Sequence, residues 1–321
     1  MTSLSGSRKM RLFQTTRFPP DIQACFDSRF DIAFSGAGDL IAQLDALPEP
    51  PDALLCSIQD ARLSADVIHA LPSSVRAIAT YSVGLDHIDL DAAAERGIAI
   101  FSTRGALEES VADVAMFLLL GAIRRGKEAL ALIGEGRWEG WSPDLLLGLE
   151  LSGRTLGILG LGAVGEKVAV RAAAFGMRIA YCNRRPSGFD GVPVEFEPDP
   201  DELFKRSDVF LLACPSTAET RRFLNRERLA MARPHLVVVN VGRGDLVDDD
   251  ALIEALETKR IFAAGLDVFN GEPDLDPRYK GLANAFCTPH IGSSTIEARL
   301  KMAKTLVDAL AAWKNEGESE A

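Results

Sequence analysis

The chain has 321 residues, a length that favours two domains of ordinary size over one very large core. With 47% apolar and 25% charged residues its composition is that of a globular protein, and its formal net charge of −11 argues against nucleic acid as a partner, because a phosphate backbone rewards basic faces. Any anionic ligand must then be held by locally placed positive groups, not by the overall field.

The opening stretch "MTSLSGSRKMRLF" has no apolar run of signal-peptide length. The most apolar segment, "VAMFLLLGAI" at 114–123, is too short to span a bilayer and is closed by Arg124 and Arg125. A cytoplasmic protein without membrane contact is expected. From residue 10 onward, short apolar runs alternate with helical patterns. "MRLFQT", "FDIAF", "DALLCSI", "VRAIATY" and "IAIFS" read as strands, with amphipathic stretches such as "ADVIHAL" and "DLDAAAERG" between them. Near residue 105 comes a long helix, "LEESVADVAMFLLLGAIRR", expected to be buried on nearly all sides and to join two units. Strand runs resume at "RTLGILGLG" and continue through "MRIAYCN", "DVFLLAC", "HLVVVNV", "FAAGLDV" and "AFCTPH". The alternation predicts parallel strands with helical crossovers, an α/β fold in two units. A last helix starts at "SSTIEARLKMAKTLVDALAAW". Ser294 and Glu297 fit a capping box, positions 296, 300, 303, 306, 307 and 310 mark a packed face, and the polar tail "KNEGESEA" is expected to fray.

Cysteines stand at 25, 56, 182, 214 and 287, with no C-x-x-C pair and an odd count that fits no disulfide framework. Cys56, Cys182, Cys214 and Cys287 each close or follow an apolar run. They read as buried thiols at strand ends in a reducing compartment, and no metal site is expected.

"GILGLGAVGEKVAV" contains Gly160-x-Gly162-x-x-Gly165 after an apolar run and before a helical pattern, the context that a dinucleotide fingerprint requires. Gly160 permits the tight turn, Gly162 lets a pyrophosphate approach the backbone, and Gly165 lets helix and strand pack closely. The helix N-terminus offers free N–H groups to the anion. The alternative is a tight strand-to-helix turn without a ligand. At the end of the next strand, where NAD sites keep an acidic residue for the ribose hydroxyls, this chain has Asn183, Arg184 and Arg185. Asparagine is neutral, and two arginines can supply planar donors to a phosphate. The expected ligand is therefore NADP, with NADPH preferred over NADH; the alternative is a solvated basic loop.

Three further motifs place polar residues just past apolar strands, where open α/β sheets build their sites. They are "VVVNVGRGDLV" with Arg243, "GLDVFNGEP" with Glu272 and "FCTPHIGSST" with His290. Taken singly, Arg243 could be a surface ion pair, Glu272 a turn residue and His290 a structural histidine. His69 and His235 read as structural, and His87 as a loop residue without a catalytic role.

With "YSVGLDHIDL", the glycine fingerprint, "NVGRG", "LDVFNGEP" and "TPHIG" in that order, the sequence resembles the D-2-hydroxyacid dehydrogenase family over nearly its whole length. Its "NRR" is similar to that of the NADP-linked glyoxylate/hydroxypyruvate reductases. The resemblance implies two Rossmann-like doubly wound parallel-sheet domains, the substrate domain being discontinuous. Residues 1–104 and 293–321 would form a substrate-binding lid and 105–292 the dinucleotide-binding domain. It implies reduction of a small 2-oxo acid such as hydroxypyruvate or glyoxylate to a D-2-hydroxy acid. His290 would be the general acid/base, Glu272 its orienting partner, and Arg243 the clamp on the substrate carboxylate. Backbone N–H groups near Val83 and Gly84 would hold the other side of that carboxylate. Asp267 would contact the nicotinamide end. Ala163, Val164, Cys214, Pro215, Thr220, Val241 and Gly292 would complete the cofactor site. Family members often carry Arg-Ile where this chain has Ala163-Val164, so one cationic pyrophosphate contact is missing. A corepressor-like binding protein and a phosphoglycerate dehydrogenase are the competing readings. A homodimer is implied through "GRWEGWSPDLLLGLELSG", in which Trp138 and Trp141 either pack the interface or, for Trp141, reach the partner's substrate pocket.

Overall fold

The computed structural model describes residues 8–36, 38–58 and 62–319, so the first seven residues of the N-terminal stretch and the last two of the polar tail lie outside the described residues. The chain divides into two compact units. One comprises the chain up to Leu107 together with Thr295 onward, and the other runs from Glu108 to Ser294. Both breaks fall slightly downstream of the expected 104/105 and 292/293.

The first unit carries β1 (Arg11–Gln14), α1 (Pro20–Asp27), β2 (Asp31–Phe34), α2 (Leu40–Asp45), β3 (Ala53–Cys56), α3 (Ala65–Ala70), β4 (Ala77–Thr80), α4 (Leu90–Glu95) and β5 (Ala99–Phe101). Its strands form one parallel sheet in the order β2-β1-β3-β4-β5. Alternate residues serve opposite faces. Leu12 and Leu55 enter one core with Phe26, while their neighbours Phe13 and Leu54 enter the other with Ile68 and Ile78. Burial on both faces is why β3 and β4 read as continuous apolar runs rather than alternating ones.

The C-terminal helix (Ile296–Ser319) closes the first of those cores through Met302, Ala303, Leu306, Val307 and Leu310. Three expectations about it are corrected. The cap is Thr295, whose hydroxyl accepts the Ala298 N–H at 3.1 Å, and not Ser294; three consecutive hydroxyl residues made the choice ambiguous. Ile296 is 77% exposed, because it lies on the first helical position, beyond the surface that the helix covers. The tail expected to fray stays helical to Ser319.

The second unit carries α5 (Glu108–Ile123), α6 (Gly126–Gly134), β6 (Thr155–Leu159), α7 (Ala163–Ala174), β7 (Arg178–Cys182), β8 (Val194–Phe196), α8 (Pro200–Arg206), β9 (Val209–Leu212), α9 (Arg226–Ala230), β10 (Val237–Asn240), α10 (Asp249–Glu257), β11 (Ala263–Leu266), α11 (Arg278–Gly281) and β12 (Ala285–Cys287). The parallel order β12-β11-β10-β9-β6-β7-β8 reverses direction between β6 and β9, which puts a crevice at their C-terminal ends. β8 is a three-residue edge strand that no sequence period announced. α5 does not join the units but belongs to the second, packed on α7, β10 and β11. Gly265 in β11 makes that packing possible: a Cβ there would stand 2.7 Å from the Leu118 carbonyl. α5 is also less buried than expected, because Phe117 is 50% exposed. All five cysteines are free; Cys56 and Cys182 are buried, Cys25 and Cys214 intermediate. Cys287 is exposed, contrary to expectation, because β12 is an edge strand paired only with β11. No helix among the described residues is long and apolar enough to cross a membrane.

Candidate active site

The glycine turn between β6 and α7 meets three separate steric demands. Gly160 has φ +100°, and a Cβ on it would lie 2.9 Å from the Ala213 carbonyl. A Cβ on Gly165 would lie 2.5 Å from the Gly160 carbonyl, so helix and turn touch only because both are glycines. Gly162, the N-cap of α7, is different: its φ is ordinary and nothing stands within 4 Å of a Cβ placed there. It faces open space, as a backbone approached by a ligand must. Glu166 makes the first intrahelical bond, to the Gly162 carbonyl at 2.8 Å. The N–H groups of Ala163, Val164 and Gly165 are thus without an intrahelical acceptor.

That turn walls a cleft of about 1050 Å³ at the C-terminal ends of β6 and β9. Of the expected cofactor residues, the cleft brings together Gly160, Gly162, Asn183, Arg184, Arg185, Cys214, Pro215 and Thr220. It adds residues the sequence did not single out: Pro198, Pro200, Thr217, Glu219, Phe223 and Arg228. Arg184 and Arg185 are exposed and make no hydrogen bond or ion pair among the described residues; the Thr217 hydroxyl holds the Glu219 carboxyl below its ordinary range, with a smaller contribution from the Arg184 charge. Burial pushes the Cys214 thiol up to about 11, so that wall is neutral. The Thr220 hydroxyl donates to the Pro215 carbonyl and accepts the Thr217 N–H, both at 2.8 Å, and so fixes the turn after β9. The cleft fits a dinucleotide: free helix N–H groups for a diphosphate, an unhindered Gly162, and two unpartnered guanidinium groups with no acidic residue at the end of β7.

Arg243, Glu272 and His290 follow β10, β11 and β12. His290 Nδ1 and Glu272 Oε2 are 2.6 Å apart, and Glu272 Oε1 accepts the Phe269 N–H at 2.7 Å. Burial works to raise the Glu272 carboxyl. The hydrogen bond and charge of His290, the Phe269 N–H and the Arg243 charge outweigh it and hold the group below the ordinary carboxylate range. The Arg243 guanidinium donates to the Gly242 carbonyl at 2.7 Å, and Asn240 braces the loop by accepting the Gly242 N–H and donating to the Arg243 carbonyl. Gly244 is required where the Arg243 and Glu272 loops meet, since a Cβ there would fall 2.0 Å from the Phe269 carbonyl carbon.

His290 has φ +52°, a left-handed backbone that non-glycine residues seldom adopt outside tight turns or functional sites. This bend lets one buried carboxylate hold the whole loop. Asp267 accepts Thr288 Oγ1 at 2.6 Å, Ile291 N–H at 2.8 Å and Gly292 N–H at 2.8 Å. Burial raises the Asp267 carboxyl even against these donors. Asp267 and Gly292, expected as cofactor contacts, are here seen engaged in the loop; the Gly292 carbonyl also accepts the Ser110 hydroxyl at 2.7 Å. Neither lines the cleft, nor does Val241, which packs against the sheet core, nor Ala163, Val164 and Gly165, which form the first turn of α7.

The other histidines have structural settings. His69 pairs with Glu95 on the surface, and His235 meets Asp208 at 2.7 Å. His87 is buried beside Thr80, which bonds Ser82, whose hydroxyl reaches the Gly84 carbonyl at 2.7 Å. That chain fixes the Val83–Gly84 loop of the first unit, where neither backbone N–H has an acceptor among the described residues. In the second unit, Leu130, Ile133, Trp138 and Leu147 are exposed, and Trp141 is 83% exposed.

The chain is similar to known proteins in sequence and in fold. Residues 116–292 match the D-isomer specific 2-hydroxyacid dehydrogenase NAD binding domain. The glycerate dehydrogenase of Hyphomicrobium methylovorum is 41% identical over 265 residues, covering 81% of this chain and 82% of that protein. The glyoxylate reductase of Thermococcus onnurineus is 40% identical over 270 residues, 82% of this chain and 80% of that one. The structure of the NADPH-dependent glyoxylate/hydroxypyruvate reductase of Sinorhizobium meliloti, in complex with NADP and malonate, superposes with a TM-score of 0.86 at 33% identity, over 95% of this chain and 94% of that one. The chain belongs to the D-isomer specific 2-hydroxyacid dehydrogenase family.

Proposed function

We propose that the protein reduces small 2-oxo acids, hydroxypyruvate and glyoxylate foremost, to D-2-hydroxy acids with NADPH. The observation that carries this reading is the His290–Glu272 pair, with the Arg243 charge close enough to draw the Glu272 carboxyl down. A bound dihydronicotinamide supplies a hydride equivalent to C2 of the 2-oxo acid. Arg243 binds the substrate carboxylate and polarises the carbonyl. Because Glu272 engages Nδ1 of His290, the proton delivered to the carbonyl oxygen comes from Nε2. The Glu272 carboxylate fixes the ring through Nδ1. In the oxidative direction the same Nε2 accepts the hydroxyl proton.

The reading assigns the cofactor, Arg243, Glu272 and His290 to the second unit; in the first unit the N–H groups of Val83 and Gly84, without an acceptor among the described residues, suit a carboxylate. Arg184 and Arg185 are assigned to the 2′-phosphate, supported by their exposure on the cleft wall without partners. Five free thiols suit a reducing cytoplasm. A homodimer through α6 and the segment after it is supported by the exposed Leu130, Ile133, Trp138, Trp141 and Leu147, an apolar surface better explained by a partner than by solvent. The test is chiral analysis of the product from hydroxypyruvate and NADPH. D-Glycerate in step with NADPH consumption is expected; L-glycerate, or no turnover of any 2-oxo acid, would defeat the proposal.

A further inference from the structure

The glycine turn is held by a side chain from outside it. Asn183, directly after β7, donates Nδ2–H to the Leu161 carbonyl at 3.0 Å and accepts the Leu161 N–H on Oδ1 at 2.7 Å. Leu161 lies between Gly160 and Gly162, and all three line the cleft. The sheet runs up to this point: Leu159 pairs with Cys182, and Gly160 N–H donates to the Cys182 carbonyl at 3.1 Å. The Asn183 amide adds the next rung with a side chain where backbone pairing stops.

We infer that Asn183 is a positioning residue for the dinucleotide: it locks the Leu161 peptide groups, and through them the direction of Gly162 and of the free N–H groups that begin α7. The position thus carries two demands at once, neutrality toward a 2′-phosphate and a donor–acceptor pair toward the turn. An amide meets both. A carboxylate offers two acceptors and no donor, so it keeps the Leu161 N–H but sets a charged oxygen against the Leu161 carbonyl. A hydroxyl has one atom where two are needed. Aspartate, the type of residue that NAD sites use here, therefore does not convert this chain to NAD; it loosens the turn that both cofactors need. The inference rests on reading the cleft as a dinucleotide site.

The test is calorimetric titration of the full-length protein with NAD⁺ and NADP⁺, for the wild type, Asn183→Asp, Asn183→Ala and the pair Arg184→Ala/Arg185→Ala. At about pH 8, Asn183→Asp and Asn183→Ala are expected to bind both cofactors about tenfold or more weakly. The arginine pair is expected to weaken NADP⁺ alone. A protonated carboxylic acid has one donor and one acceptor, as the amide does, so Asn183→Asp should recover NAD⁺ affinity as the pH falls to about 4, where an ordinary aspartate is half protonated. The groups that face this cleft are the thiols of Cys182 and Cys214 and the charges of Arg184, Arg185, Glu219 and Arg228, the last paired with Asp201. The carboxylates of Glu197 and Asp199 lie beyond Cys182. The wild type titrated over the same range reports what these contribute. Recovery within a single variant cannot come from misfolding, so it decides the matter even if Asn183→Ala is unstable. An Asn183→Asp protein that gains NAD⁺ affinity at pH 8 and shows no recovery in acid would overturn the inference. An arginine pair with an unchanged NADP⁺/NAD⁺ ratio would instead remove the 2′-phosphate assignment and leave the clasp standing.

Discussion

Gly162 and Gly165 lie three residues apart in one turn, and the structure predicts opposite consequences for the same substitution. In Gly165→Ala the new methyl would sit 2.5 Å from the Gly160 carbonyl oxygen, a backbone atom that cannot swing aside. Relief to an ordinary contact requires helix and turn to part by most of an ångström. Overpacking of this kind costs about 1–3 kcal/mol, offset in part by the roughly 1 kcal/mol that alanine gains over glycine inside a helix. The net cost is up to about 2 kcal/mol, a fall in Tm of up to about 8 °C for a unit of this size. In Gly162→Ala the methyl meets nothing within 4 Å, and the backbone there is one that alanine adopts freely. Stability should fall by only about 0.5–1 kcal/mol, the difference between glycine and alanine at an N-cap. The same methyl, however, stands on the cleft wall where the diphosphate must approach. Holding it off would cost one or two hydrogen bonds to a charged group, about 10- to 100-fold in Kd. Thermal unfolding and fluorescence titration with NADPH separate the two effects. Unchanged NADPH affinity in Gly162→Ala would refute the placement of the diphosphate, and a raised Tm in Gly165→Ala would refute the packing argument.

Replacing His290 by asparagine, which tolerates the left-handed backbone at that position, should lower turnover by about 10²- to 10⁴-fold while cofactor binding survives; most of the turnover remaining would remove His290 from the mechanism. Asp208 is buried, which works to raise its carboxyl, but the Thr155 N–H, His235 and Arg233 together hold it below the ordinary range. A depressed carboxyl adds stability that is present above the unfolded value of about 4 and is lost as the pH falls through the folded one. Asp208→Asn should therefore lose about 1–3 kcal/mol at neutral pH, and its gap to the wild type should close in acid; a gap constant from pH 7 to about 3 would contradict this. Trp138→Ala/Trp141→Ala should shift a dimer toward monomer in sedimentation at micromolar concentration, whereas a wild type that is already monomeric would end the interface assignment.

What could be read from the sequence follows physical rules of short range. Eleven of the twelve strands among the described residues lie within the apolar runs, because most of them are buried on both faces and leave little room for polar residues. β8 escaped because three residues at a sheet edge carry no period. The glycine spacing showed the turn, since steric demand at Gly160 and Gly165 acts within a few residues. What escaped depends on residues distant in the chain. Nothing near position 183 says that its amide grips Leu161, and nothing near 267 says that the carboxylate receives three donors from the His290 loop. Helix ends were uncertain for a related reason: Ser293, Ser294 and Thr295 offer equivalent hydroxyls, and only the direction of the chain decides that Thr295 caps. The exposure of Phe117 in an otherwise apolar helix is likewise a matter of what covers α5 and what does not.

The central claim is most directly tested by kcat/KM for NADPH and NADH, each paired with hydroxypyruvate, glyoxylate, pyruvate and phenylpyruvate. The two small substrates with NADPH should be the most efficient pairs, and Arg184→Ala/Arg185→Ala should erase the advantage of NADPH without harming NADH. Equal efficiency with the two cofactors would contradict the role given to the arginines, and phenylpyruvate as the best substrate would contradict the small-substrate assignment.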